Sequence, residues 1–159
     1  MANVYMKVDG VKGSVTAQNY QGWLELMSSS FGLTKYAPMK VGNMNDRTTS
    51  PPEFSELQIY KMLDAGSNAL FSKSVSDRAT TQVEIHIVDP AKQHAYYKLV
   101  LNDVVFSYYH LHVYEDMLPF ESLKLSYAKL QQTYVHQDSM GKLLPPSHAG
   151  YDLAKTEKL

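Results

Sequence analysis

Hydrophobic and polar residues alternate with a period of two along most of the chain. Val4, Met6 and Val8 share one parity and Tyr5 and Lys7 the other, before Asp9-Gly10 turns the chain. From Trp23 to Leu33 the alternation breaks at Leu26-Met27. A β-bulge there keeps Leu24, Leu26, Met27 and Phe31 toward the core and turns Ser28 and Ser30 to the wet face. Phe54, Leu57, Ile59 and Met62 predict a further strand. Val83, Ile85 and Ile87 alternate with Gln82, Glu84 and His86, and Tyr97, Leu99 and Leu101 with Tyr96, Lys98 and Asn102. Val104 to Tyr114 is again β-rich. Leu123, Leu125 and Tyr127 open a strand that runs to the region of Val135, followed by a polar turn and a short tail.

Only one segment reads as a helix. Ser67 is the expected N-cap, and Leu70, Phe71, Ser74 and Val75 follow at helical spacing. So short a helix needs Leu70 and Phe71 docked on the sheet. Tyr36 to Pro52 has no period and holds Pro38, Gly42, Asn43, Asn45, Asp46, Pro51 and Pro52. A loop of that length is either a mobile excursion or an arm that contacts a partner. Many strands with one apolar and one wet face predict a single mainly β domain over residues 1–159, an antiparallel barrel or sandwich with one helix.

Composition narrows the function. The chain has 159 residues, 44% hydrophobic and 19% charged, enough to bury a core of its own. A formal charge of −1 offers no basic excess for nucleic acid. No apolar run is long enough for a transmembrane helix. Met1 to Lys7 has no charged stretch followed by an apolar one, so no classical signal peptide is expected and synthesis is placed in the cytoplasm. The absence of cysteine excludes disulfides, thiolate catalysis and cysteine zinc sites. Twelve tyrosines against one tryptophan suit both strands and interfaces.

Candidate chemistry is sparse. No nucleophile-elbow or phosphate-loop motif occurs. Ser28, Ser29 and Ser30 read as a polar strand face. Glu84 and His86 share a face without a sign of a pocket, and Glu121 and Asp103 stand alone in sequence. His110 and His112, at i and i+2, point the same way from a strand and could begin a metal site with Glu115 or Asp116, but a surface or interface role is the stronger reading. No catalytic residue, metal site or cofactor is therefore expected.

Several segments carry a resemblance to a known family. Val4-Tyr5-Met6-Lys7-Val8-Asp9-Gly10-Val11-Lys12-Gly13-Ser14 resembles the opening strand of the haemolysin-coregulated protein (Hcp) family of type VI secretion. Trp23 to Gly32 is similar to that family's second strand, and Asp64-Ala65-Gly66-Ser67-Asn68-Ala69-Leu70-Phe71 to its helix start. Tyr97 to Val105, Glu121 to Leu130 with Thr133-Tyr134, and Ala149-Gly150-Tyr151-Asp152-Leu153 follow in the family's order. The chain departs from the pattern in three places. Gly42 is the only glycine of the first long loop, Tyr108 to Tyr114 replaces a glycine-rich loop, and Gln132 stands where a tryptophan is common.

The resemblance implies a ring-forming antiparallel β-barrel with one short helix packed on its side. It implies hexameric rings that stack head-to-tail into the inner tube of a contractile apparatus, are expelled, and carry effectors in the lumen. Implied partners are other copies of the chain, sheath proteins, the valine–glycine repeat spike protein and small effectors, with neither nucleic acid nor membrane insertion. Lumen-facing candidates are Ser28, Ser30, Glu84, His86 and Lys98. Candidates for contact between subunits or rings are Tyr36, Met39, Lys40, Asn43, Asn45, Asp46, Arg47, Tyr109, His110 and His112. The polar faces line the lumen or meet the sheath, and both readings stay open at this level. The alternative is a monomeric β-barrel that holds a small ligand, against which the wet strand faces speak.

Overall fold

The computed structural model describes residues 2–39, 41–42 and 48–159. Its strands are β1 (Asn3–Val8), β2 (Leu24–Leu26), β3 (Ser28–Ser30), β4 (Leu33–Thr34), β5 (Glu53–Phe54), β6 (Leu57–Met62), β7 (Thr80–Asp89), β8 (His94–His112), β9 (Phe120–Ser126), β10 (Lys129–Tyr134), β11 (Ser147–Asp152) and β12 (Glu157–Lys158). The helix α1 (Ser67–Ser74) lies between β6 and β7 and packs on β8. The mainly β, antiparallel expectation holds.

Closure into a barrel does not. One ladder runs β12-β11-β10-β8-β7-β1-β2, and β3, β6 and β9 form a second sheet that joins it through β8. Two changes of partner produce this layout. The first part of β8 pairs with β7 and β10, and its last part pairs with β9. Asp103, with φ 51°, sits at that changeover, a left-handed conformation that Asp tolerates better than most residues. At Met27 the chain likewise leaves β1 for β6, because β2 pairs with the former and β3 with the latter. The sheet therefore folds over itself at two irregular points rather than closing as one continuous ladder.

The space between the two sheets is filled by side chains. Met6, Leu24, Leu57, Ile59, Leu99, Leu101, Leu123 and Leu125 are all buried there, with Leu70 of α1. Each such residue contributes roughly 1.5–3 kcal/mol on full burial. This filled interior speaks against the ligand-holding barrel. The Trp23–Leu33 parity break occurs where expected and turns Ser28 and Ser30 outward. Met27 differs from expectation: it is exposed, because the chain bends there and the extra residue is expelled toward solvent.

Four further expectations are corrected. Gly66, not Ser67, occupies the N-cap position, and no side chain caps the helix. Gly66 is required for packing, since a Cβ there would come 2.6 Å from Leu24 Cδ2. Phe71 is half exposed and meets Tyr109 edge to face at 5.4 Å, whereas Leu70 is the apolar residue of the helix that is buried in the core. The stretch read as one strand from Leu123 splits at Tyr127-Ala128, with β9 pairing with β6 and β8 and β10 with β8 and β11. Finally, the short tail is a β11–β12 hairpin that widens the first sheet.

Candidate functional site

Directly paired residues of antiparallel strands share a face, so the ladders sort the candidate residues without ambiguity. Across the second sheet the outward rows are Ser30, Gln58, Lys124 and Tyr108, then Ser28, Tyr60, Ser122 and His110, then Met62, Phe120 and His112. Ser28, Ser30, His110 and His112 thus come to one face, although the sequence had placed them in two groups. The rings on this face stack. Tyr108 and His110 are nearly parallel at 6.0 Å, His110 and His112 lie 4.4 Å apart, and His112 stacks on Phe120 at 4.5 Å. Lys124 Nζ sits 4.9 Å from the centre of the Tyr108 ring, a cation–π contact. Ser122 Oγ holds His112 Nε2 at 3.1 Å. Tyr109 has the opposite parity and faces inward beneath Phe71.

Glu84, His86 and Lys98 lie on the outward face of the first sheet, where His86 pairs with Tyr5 on one side and Lys98 on the other. Lys98 is exposed. His86 is not free, because the segment between β1 and β2 folds over it. Tyr20 Oη lies 3.0 Å from His86 Nδ1, and the Trp23 ring lies 4.8 Å from the imidazole. Burial under these rings, and secondarily the Lys98 charge, lowers the His86 pKa to about 4. His86 is therefore neutral near pH 7, and its 3.5 Å approach to Glu84 Oε2 is not an ion pair there. Tyr20 pays the converse effect: burial, then Tyr5, raises its phenol pKa. Alternation marked His86 as outward but carried no signal that a distant loop would cover it.

The long loop is a hairpin arm at its root. Leu33–Thr34 pairs with Glu53–Phe54, and the Ser50 N–H donates to the Tyr36 carbonyl at 3.0 Å while the Tyr36 N–H donates to Ser50 Oγ at 2.8 Å. Phe54 packs on Tyr151 at 5.0 Å, and the buried Tyr127 hydroxyl donates to the Ser55 carbonyl at 2.9 Å. Those contacts fix where the arm leaves the body. Tyr36 and Met39 are exposed on it. Lys40, Asn43, Asn45, Asp46 and Arg47 lie outside the described residues.

A cluster that the sequence did not reveal sits under the first turn of α1. Lys61 Nζ donates to Glu121 Oε1 at 2.7 Å and to Asp64 Oδ1 at 3.1 Å, and the Ser67 hydroxyl donates to Glu121 Oε1 at 2.6 Å. Lys61 and Glu121 are wholly buried. Burial, then the neighbouring Glu121 carboxylate, raises the Tyr109 phenol pKa. Glu121 looks isolated in sequence because its partner lies on another strand. The arrangement locks a helix end to two strands, and the carboxylate is engaged in holding the fold. Among the described residues no group of three or more His, Asp or Glu side chains is placed to hold a metal.

The chain matches the family model described as "Type VI secretion system effector, Hcp" over residues 5–134. No curated protein matches it. Among solved structures, a type six secretion system protein is similar over 100% of both chains, with 23% identity and a TM-score of 0.92. Hcp1 from Salmonella typhimurium aligns over 100% of both chains at 20% identity and TM-score 0.80. A type VI secretion system effector from Yersinia pestis covers 94% of this chain and 98% of its own, at 17% identity and TM-score 0.76. The structural likenesses establish the fold, and the family match establishes kinship: this chain belongs to the Hcp family, the tube proteins of type VI secretion.

Proposed function

We propose that this protein acts as a hexameric ring subunit whose rings stack head-to-tail into the secretion tube and leave the cell with it. The observation that carries the reading is the family match across residues 5–134. The surface supports it. A closed ring of identical subunits needs two different, complementary patches on each copy, and stacking needs a second pair along the axis. This molecule has two outward sheet faces of unlike character, one with His, Tyr and Ser and one with Glu84 and Lys98, and a hairpin arm rooted at β4 and β5. Short or irregular strands such as β12 and β3 leave edges that a neighbouring copy would cover.

In this reading the protein works without bond-making chemistry. It is made in the cytoplasm and exported by the type VI apparatus. Sheath proteins surround the tube, the valine–glycine repeat spike protein heads it, and small effectors travel in the lumen. The arm between Tyr36 and Pro52 contacts the next ring. Light scattering and negative-stain imaging of the purified chain test this. The expected result is ring particles at a multiple of the 18.0 kDa monomer. Deleting Met39 to Thr48 leaves single rings and reduces their stacking. A strictly monomeric species at high concentration overturns the assembly reading.

A further inference from the structure

We infer that His110 and His112 form a two-imidazole chelate for a divalent ion of the copper or nickel class, on the outward face of the second sheet. The two residues lie two positions apart on β8 and so project from the same face, and their ring centres are 4.4 Å apart. The ring planes are tilted by 41°, so they converge rather than lie face to face. The segment Tyr108 to Tyr114 is one where the chain departs from the Hcp pattern, so the pair belongs to this chain and not to the general design of the tube. The inference stands on the single chain and does not depend on ring assembly.

The spacing suits one shared ion. An imidazole nitrogen lies about 1.2 Å from its ring centre and a metal–nitrogen bond is about 2.0 Å, which puts the ion roughly 3.2 Å from each centre. Two centres 4.4 Å apart then subtend about 90° at the ion. That is the angle between neighbouring ligands in a tetragonal copper(II) or nickel(II) site, and it is narrower than the tetrahedral angle of a zinc site.

The surroundings orient the pair. Ser122 Oγ lies 3.1 Å from His112 Nε2. With the Nε2–H donating to that oxygen, the Nδ1 lone pair of His112 is left to bind the ion, which is how a second hydrogen bond commonly fixes a ligating histidine. His112 Nδ1 and both nitrogens of His110 have no hydrogen-bond partner among the described residues. Phe120 stacks on His112 at 4.5 Å, and Tyr108 lies nearly parallel to His110 at 6.0 Å, so each imidazole is braced by a further aromatic ring. Lys124 is held over the Tyr108 ring, at the end of the row away from His112. Neither Glu115 nor Asp116 joins the pair, since among the described residues no third His, Asp or Glu is placed to share an ion with it. The chain therefore supplies two ligands and water fills the other positions, an open and exchangeable site rather than a closed structural one.

Titration of the full chain with Cu2+ and Ni2+ tests this. One equivalent of Cu2+ should bind, with electron paramagnetic resonance showing coupling to two imidazole nitrogens. His110→Phe and His112→Phe keep a ring in the stack and remove its nitrogens. Each should abolish the two-nitrogen signal, while light scattering shows the same assembly state as the native chain. Ser122→Ala should weaken Ni2+ binding about tenfold by isothermal titration. The double change His136→Gln/His148→Gln should leave both measurements as they were. A two-nitrogen signal that survives His110→Phe or His112→Phe, or that vanishes with His136→Gln/His148→Gln, refutes the inference. Binding no tighter than that of a His110→Phe/His112→Phe chain refutes it as well, and unchanged affinity in Ser122→Ala overturns the assignment of Nδ1. Each of these results leaves the tube reading intact.

Discussion

Lys61 and Glu121, sixty positions apart in sequence, meet at 2.7 Å with no solvent access to either side chain. They stand opposite each other on β6 and β9, in register on the core-facing side of the second sheet. Removing two charges from water costs several kcal/mol each, so such a pair is not in itself a source of stability. Its effect is conditional: each charge is tolerable only while the other is present. Ser67 and Asp64 complete the cluster and tie the start of α1 to the sheet.

Lys61→Met should therefore destabilise the fold by about 3–5 kcal/mol, since it strands a buried carboxylate. The double variant Lys61→Met/Glu121→Leu should recover most of that loss. Denaturant unfolding of the two singles and the double at one fixed protein concentration measures the coupling, and additive losses would contradict it.

His86 predicts an acid weakness. Its folded pKa lies near 4 against 6.5 for the free side chain. The unfolded chain therefore takes up the proton first. The contribution is fully present above pH 6.5, declines as pH falls, and is exhausted below about 4. Allowing for solvent screening, the expected loss over that window is about 1–2 kcal/mol. His86→Gln, which retains a group able to meet the Tyr20 hydroxyl, should flatten the stability profile between pH 6.5 and 4. An unchanged slope would assign the acid sensitivity to other groups.

Gly13 marks a close approach of two backbone segments. A Cβ there would lie 2.2 Å from the Trp23 carbonyl oxygen, and backbone cannot move aside as a side chain can. Gly13→Ala should cost more than about 2 kcal/mol and loosen the cover over His86. Gly32, where a Cβ meets nothing within 4 Å, is the control. Thermal melts of Gly13→Ala and Gly32→Ala should differ clearly, with the second close to the native protein.

The two outward faces are separable by labelling. In our reading Ser30 faces the lumen. A bulky maleimide should modify Ser30→Cys in isolated subunits and fail to reach it within long tubes. Lys98→Cys, on the other sheet, provides the comparison. Full modification of Ser30→Cys from outside an intact tube would reverse the assignment of that face.

The strands were largely legible because a period of two is a local property. Val83, Ile85 and Ile87 needed no partner to declare a half-buried strand, and the parity break after Leu26 announced a bend before any contact was known. Family kinship was legible for a similar reason, since short motifs in fixed order survive in linear sequence. The helix was found at Ser67 to Ser74, but its cap was misread, because Ser67 Oγ is drawn to Glu121 from another strand.

Sequence alone settled where most of the long strands run, where the single described helix lies and which family the chain resembles; these follow from local periodicity, local turn chemistry and the order of short motifs. Tertiary structure alone decided which strand pairs with which. It joined Ser28 and Ser30 to His110 and His112 on one face, covered His86 with Tyr20 and Trp23, set Lys61 against Glu121 and left the sheet unclosed. The reason is physical: pairing register and loop docking are set by contacts between residues far apart in the chain, and alternation along one strand says nothing about what will lie across from it.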